Sequence, residues 1–459
     1  MKKIGIFLLG AVVVAVVAGL IAGKLLLGYL TPDFLTNQIE SNLGCRAEVE
    51  SVGLSLLGAP HIAVEGLALG PRDRFVEDGT PLSERLPMPY REVQMKAVSL
   101  KVHPLDLIKR RLYVQHLTLD GLDAKLLMRR DGTTNMDEIF GKLQEGKSAA
   151  AKPAEKEKSE TFAAGEIPMA IRADRVEVKN SRVTVDMEAT GAQVVLQNAG
   201  FRISEIDIDP ENLSAHDRAK FQFAGELAVG GRNENKNRVF ETRLSGDGEI
   251  RPFDPVRGAW DPKWRSSITL AKGSKLDTVP ILGKMREALS RINRLGIDLG
   301  ALLTNGELAR DATAEISYDR GRYQFEKPFV LDFADTQLEL HAGSWINAAS
   351  NQHEIKGGVM ASELFTREVK EKARKYLADQ SNGKISGSLV ETLFLPITKD
   401  GRLYLEVVSS GDLGQPRADI VTPLGTLGNI GSLFQKSGSM LDDLQKVGKG
   451  LLKNLLQKK

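Results

Sequence analysis

The stretch YVQHLTLDGLDAKLLMRRDG, Tyr113 to Gly132, sets His116 close to Asp120, Asp123 and Asp131. Imidazole and carboxylate groups are the material of general acid–base pairs and of metal sites. The spacing serves neither use. His116 alternates out of register with the apolar set Leu117, Leu119, Leu122, Ala124, Leu126 and Met128, while Asp120 and Asp123 fall at a turn and on a solvent face. A second stretch, RADRVEVKNSRVTVDMEATG from Arg172 to Gly191, repeats the apolar spacing with Val176, Val178, Val183, Val185 and Met187 but loses the histidine and both central aspartates. What recurs is therefore a pattern of packing, with no conserved chemistry inside it.

The rest of the chain offers chemistry no better footing. His61, His103, His116, His216, His341 and His353 contain no pair at the i, i+4 spacing that places two ligands on one helical face. HEIKG at His353 begins like a zinc-protease helix and lacks its second histidine. There is no G-x-S-x-G elbow and no P-loop, and GTLGNIG lacks the spacing of a dinucleotide loop. DGTTNMDEI lacks the glycine and the spaced acidic ligands of a calcium loop. A single cysteine, Cys45, excludes an intrachain disulfide and reads as a small buried apolar residue. A lipoprotein acylation site at NLGC is disfavoured by Asn42 and by the polar stretch that precedes it. The expectation is a protein that is not an enzyme and needs no cofactor or metal. With 62 basic against 60 acidic side chains and no nucleic-acid motif, nucleic acid is not an expected partner.

The elements come next. IGIFLLGAVVVAVVAGLIAG, Ile4 to Gly23, carries no charge, and as a helix it reaches about 30 Å, the thickness of a bilayer core. Ile4, Phe7, Leu8, Val13, Val17 and Leu20 are expected to belong to this membrane anchor. A retained anchor is favoured over a cleaved signal peptide, because the run is longer than a signal sequence needs. Lys2 and Lys3 keep the N-terminus cytoplasmic and send the bulk of the chain across the membrane.

Beyond the anchor, TPDFLTNQIESNLG predicts a short helix between an N-cap at Thr31 and a C-cap at Gly44. Period-two alternation then dominates: Val52, Leu54 and Leu56; Ile62 and Val64; Leu67 and Leu69; and the two repeated stretches, read as hairpins turning at DG and NS. The lysine-rich GKSAAAKPAEKEKSE predicts a disordered segment. Strands continue through Phe221, Phe223, Leu227 and Val229, then Ala312 to Ala342, then Leu403, Leu405 and Val407. Helices are predicted at ILGKMREALSRINRLG and SELFTREVKEKARKYLADQ. At the end, MLDDLQKVGKGLLKNLLQKK predicts a basic amphipathic helix that either lies on a membrane or caps a sheet.

The anchor, the TPDFLTNQIESNLG helix, the strands VESVGLSLLGAPHIAVEGLALG and the segment HPLDLIKRRLYVQHLTLDGLDAKLLMRRDGTTNMDEI together resemble the N-terminal region of AsmA-family proteins. The leucine-rich PL segment, the strand pair and the DG-x-x-N close stand in the family's order. The chain from TNGELARDATAEISYDRG to GDLGQPRAD is similar to the family's C-terminal region. The two matches cover residues 1–140 and 300–422.

The resemblance implies an inner-membrane anchor followed by an elongated, curved antiparallel β-sheet forming a hydrophobic groove, mainly β with a few helices. It also implies a bacterial periplasmic protein that binds or transfers phospholipids or other envelope lipids and contributes to outer-membrane biogenesis. The alternative is a structural or regulatory envelope protein that affects outer-membrane protein assembly and carries no lipid. The expected divisions are 1–30 anchor, 31–145 N-terminal β region, 146–167 disordered linker, 168–300 middle β region with helix, 301–425 C-terminal β region with helix, and 426–459 basic helix.

In an open trough, acyl chains partition at about 0.8 kcal/mol per buried CH₂. Strands about 4.8 Å apart, roughly twenty to twenty-five of them, would make a trough on the order of 100 Å long. That length falls short of a complete bridge, so an envelope protein partner is a further expectation. The expected lining is Leu117, Leu119, Leu122, Leu126, Val176, Val178, Val183, Val185, Ile316, Phe329, Leu331, Phe333, Leu338, Leu340, Leu403 and Leu405. Alternation alone leaves an open groove and a closed sandwich undivided, since both have period two.

Overall fold

The computed structural model describes residues 31–55, 60–73, 79–103, 105–106, 109–131, 133–139, 163–189, 191–231, 238–277, 306–347, 349–380, 391, 394–413, 417–422 and 425–426. The expected anchor with Ile4, Phe7, Leu8, Val13, Val17 and Leu20, the helix expected over 281–296, nearly all of the lysine-rich linker and the basic C-terminal helix lie outside these residues. Among the described residues no helix is long and apolar enough to cross a membrane. The chain forms two compact units, Met1–Ser266 and Ser267–Lys459, each mainly β with few helices.

In the first unit, α1 (Pro32–Leu43) starts and stops where its caps dictate. The Thr31 side chain accepts the Phe34 N–H at 3.2 Å, proline occupies the first turn, and Gly44 adopts φ 76° with its N–H on the Glu40 carbonyl. Then follow β1 (Arg46–Glu48), β2 (Ser51–Ser55), β3 (His61–Gly70), β4 (Val93–His103), β5 (Arg111–Asp120), β6 (Asp123–Met128), α2 (Asn135–Ile139), β7 (Ala170–Met187), β8 (Ala192–Ile208), β9 (Asp217–Gly231), β10 (Arg238–Phe253) and β11 (Trp260–Leu270), in which the unit ends. Strands β1 and β2 both pair with β3, and β3, β4 and β5 follow one another antiparallel. Strands β7 to β10 form a second antiparallel run.

Two expectations are corrected here. The sheet is mixed rather than antiparallel, because β5 and β6 both pair with β7 in parallel. Nor are the repeated stretches hairpins. Val176–Val178 and Val183–Val185 belong to the single strand β7, and β5 and β6 run in line beside it, Leu117 next to Val176 and Ala124 next to Val183. The sequence repeat is thus the register of two neighbouring strands. Parallel neighbours require a long crossover between them, and the chain between Met128 and Ala170, which includes α2, supplies it.

What looked like turns are kinks. Gly121 has φ 67° and Asn180 has φ 50°, so Asn and Gly are where left-handed backbone was anticipated, yet the chain continues forward. The kinks are tied to each other: Asn180 Nδ2 donates to Asp120 Oδ1 at 2.8 Å, the Gly121 N–H to the Lys179 carbonyl at 3.0 Å, and the Arg182 N–H to the Leu122 carbonyl at 2.7 Å. At Asn180–Ser181 the register of β7 against β8 shifts, and the apolar set changes from even to odd positions. A bulge of one residue keeps both halves on the same face of the sheet. Strand β8 repeats the device at Asn198, φ 50°.

In the second unit, short strands succeed one another: β12 (Lys275–Leu276), β13 (Gly306–Glu307), β14 (Ala312–Asp319), β15 (Arg322–Phe325), β16 (Phe329–Asp332), β17 (Thr336–Leu340), β18 (Trp345–Asn347) and β19 (Gln352–Ala361). After β19 comes α3 (Glu363–Gln380), then β20 (Thr398–Lys399), β21 (Arg402–Asp412), β22 (Arg417–Thr422) and β23 (Gly425–Thr426). Ser362 caps α3, its Oγ accepting the Phe365 N–H at 3.1 Å. The helix buries Thr366, Val369 and Ala373, and Thr366 Oγ1 accepts the Leu403 N–H of β21 at 3.0 Å.

Candidate functional site: an apolar sheet face

Strand register aligns apolar side chains of the first unit into rows that cross many strands. One row runs Leu54, Ile62, Leu100, Leu117, Val176, Ile203 and Phe221. The next runs Val52, Val64, Val98, Leu119, Val178, Phe201 and Phe223. Beyond the kinks, Ala124, Val183, Leu196 and Leu227 form a third row, and Leu126, Val185, Val194 and Val229 a fourth.

Burial changes along the rows. Leu100, Leu117, Leu119 and Ala124 are at most 4% exposed and belong to one buried cluster with Leu43 of α1, Cys45, and Met136 of α2. From β7 onward the same rows are only half-buried: Val176, Val178, Val183, Val185, then Leu196, Phe201, Ile203, Phe221, Phe223, Leu227 and Val229. Aromatic rings give this part its surface. Phe221 lies 6.4 Å from both Phe201 and Phe223 and meets Trp264 edge-on at 6.3 Å. Opposite Phe221 and Phe223 in β10 stand Gly248 and Gly246. A side chain at 248 would collide with the Phe221 ring at 2.6 Å and with the Arg265 carbonyl at 2.2 Å, so the ring covers ground that only glycine leaves free.

The other face is polar. Thr118, Glu177, Arg202, Gln222 and Asp247 share a row, as do His116, Arg175, Ser204, Lys220 and Glu249. Burial pushes the Glu177 carboxyl up, but Arg202, bonded through two nitrogens at 2.7 and 3.2 Å, and Lys179 at 3.2 Å outweigh it and hold the group below the usual carboxylate range. His116 is exposed between Lys101 and Arg175. Asp120 accepts from Asn180, and Asp131 accepts from the Thr133 N–H and hydroxyl at 2.8 and 2.7 Å. Among the described residues no cluster of His, Cys, Asp and Glu is arranged to hold a metal ion.

Of the expected lining residues, Leu117, Leu119, Leu122, Phe329, Leu403 and Leu405 are buried. Leu126, Val176, Val178, Val183, Val185, Ile316, Leu331, Phe333, Leu338 and Leu340 are half-buried. In the second unit Leu331, Leu338, Val359 and Leu405 share one row. The residues that sequence reasoning left out of the lining are Leu196, Phe201 and Ile203 of β8 and the β9 set Phe221, Phe223, Leu227 and Val229. Their signal was there, but in β8 the kink at Asn198 breaks the alternation.

The DG-x-x-N close also acquires a physical role. Asn135 Oδ1 accepts the Leu127 N–H at 2.9 Å and its Nδ2 donates to the Lys125 carbonyl at 2.8 Å, so one buried side chain stands in for a neighbouring strand along β6.

Fold and face together define a mainly β protein that presents an ordered apolar surface on a mixed sheet. The AsmA family profile matches residues 1–254, more than half of the chain, and the protein belongs to the AsmA family. The matched range includes every strand of the apolar face through β10. Comparison with curated proteins and with solved structures finds no match.

Proposed function

We propose that the chain is a lipid-binding and lipid-transfer scaffold, anchored in the inner membrane by residues 1–30 with its bulk in the periplasm, that contributes to phospholipid transport and outer-membrane biogenesis. The observation that carries this reading is the change in burial along the rows: the same apolar face that is buried at β4 and β5, in one cluster with Leu43 of α1 and Met136 of α2, continues half-buried through β7–β9. Half-buried aliphatic and aromatic side chains in continuous rows offer an acyl chain a ready surface, and each CH₂ transferred from water adds about 0.8 kcal/mol. The polar rows on the opposite face keep that side of the sheet in water. Membership of the AsmA family is consistent with this reading.

The test is native mass spectrometry of the full chain extracted in mild detergent, with lipid extraction of the same sample. Phospholipid in stoichiometric amount is the expected result. A chain that emerges lipid-free from membranes rich in phospholipid would sink the proposal in favour of an envelope protein that contacts assembly factors and carries no lipid.

A further inference from the structure

The geometry points to a second binding site, in the second unit: a cleft beside α3 that takes a phosphate ester bearing a primary amine. The cleft has a volume of about 500 Å³ and lies between α3, Glu391 and the turn at Asp400–Gly401, a size suited to a small polar molecule. Arg367, Lys370 and Arg374 stand at i, i+3 and i+7, which puts three cations along one side of the helix. Lys370 Nζ and an Arg374 guanidinium nitrogen hold the two oxygens of Glu391 at 2.9 and 2.6 Å. Two cations gripping one oxyanion through separate oxygens is the arrangement that also suits a phosphate.

Glu363, Arg367, Glu371 and Asp400 line the same cleft, and their side chains have no hydrogen-bond or ion-pair partner among the described residues. The unspent groups are thus of both signs. A simple anion would meet the three carboxylates, and a simple cation would meet the arginine. A ligand carrying a phosphate and an ammonium a few bonds apart answers both signs: the phosphate replaces the Glu391 carboxylate on Lys370 and Arg374 with Arg367 as third donor, and the ammonium turns to the carboxylates of Glu363, Glu371 and Asp400. This site does not depend on the apolar face of the first unit.

The experiment is calorimetric titration of the full chain in nonionic detergent with glycerophosphoethanolamine, glycerol phosphate and inorganic phosphate. The amine-bearing ester is expected to bind about tenfold more tightly than either amine-free phosphate, the loss expected for one charge-assisted pairing. Lys370→Ala with Arg374→Ala should abolish that binding while leaving the circular dichroism unchanged, and Glu391→Gln should tighten it by removing the internal competitor. Equal affinity for the three compounds, no binding, or indifference to both variants overturns the proposal. Phe223→Asp, which strikes the apolar face, should leave the titration as it is. Dihexanoyl phosphatidylethanolamine titrated alongside separates the sources: a component removed by the double variant and tighter than the bare ester assigns a lipid headgroup, and an equal or weaker one assigns the free ester.

Discussion

At the scale of single residues, two groups report on the first unit. Cys45 is fully buried, and burial pushes its thiol up to about 12. Since the thiolate is the reactive form, the folded chain should resist thiol reagents at pH 8, and the labelling rate should follow unfolding as denaturant is added. Rapid labelling in plain buffer would contradict the burial. Glu177 gives a pH signature. Its folded value lies below the unfolded one of about 4.3, so its contribution to stability is present above that pH and is lost as the pH falls through the folded value. Glu177→Gln should therefore lower the urea midpoint at pH 7, with the gap to the parent closing below about pH 4. A gap that does not change with pH would assign the loss to packing and not to the Arg202 and Lys179 pairs. The burial of Cys45 was legible, since a lone cysteine reads as a small buried apolar residue, whereas a glutamate among lysines and arginines looks the same whether exposed or buried.

At the scale of elements, the caps of α1, the Ser362 start of α3 and most strand positions were legible, because each depends on residues within a few positions of each other. The repeated stretches were legible as a repeat and misleading as topology. Asp120–Gly121 and Asn180–Ser181 carry the residue types that tolerate left-handed backbone, and local chemistry cannot say whether such backbone reverses a strand or kinks it. The deciding bonds, Asn180 to Asp120 and Gly121 to Lys179, join residues far apart in the chain. The kink is testable where it is tightest. At Gly121, φ is 67° and a Cβ would lie 2.8 Å from the Lys96 Cβ, so Gly121→Val combines left-handed strain with a collision. The backbone strain alone is expected to cost about 1–3 kcal/mol, read as a lower urea midpoint at unchanged slope. Gly258→Ala is a useful contrast: its φ is also left-handed, 65°, but the nearest atoms stand at 4.0 Å, so its loss should be the smaller. Equal losses at the two positions would mean that the collision at the kink adds nothing.

At the scale of the molecule, what the sequence could not divide was a closed core from an open face. Leu117 and Phe223 sit in strands of the same alternating pattern, yet Leu117 is 3% exposed beneath the cluster that includes Leu43 and Met136, whereas Phe223 is half-buried. The difference lies in what surrounds each stretch of the sheet: α1 packs by β1 and α2 by β6, and their Leu43 and Met136 share a cluster with β4 and β5 residues and with none of β8 or β9. A charge reads the distinction directly. An unpaired carboxylate placed in a closed core must be desolvated or protonated, so Leu117→Asp should prevent cooperative folding, seen as a lost thermal transition. The same charge at Phe223 retains contact with water and should leave a cooperative transition at a somewhat lower temperature, since the ring loses its contact with Phe221. If the half-buried rows are where acyl chains lie, Phe223→Asp and Leu227→Asp should each reduce the phospholipid carried by a folded chain, while Gln222→Asp, next to Phe223 in sequence but on the polar face, should not. Lipid content that survives both face substitutions, or that falls equally with the one on the polar side, would remove β7–β9 as the place where lipid is held.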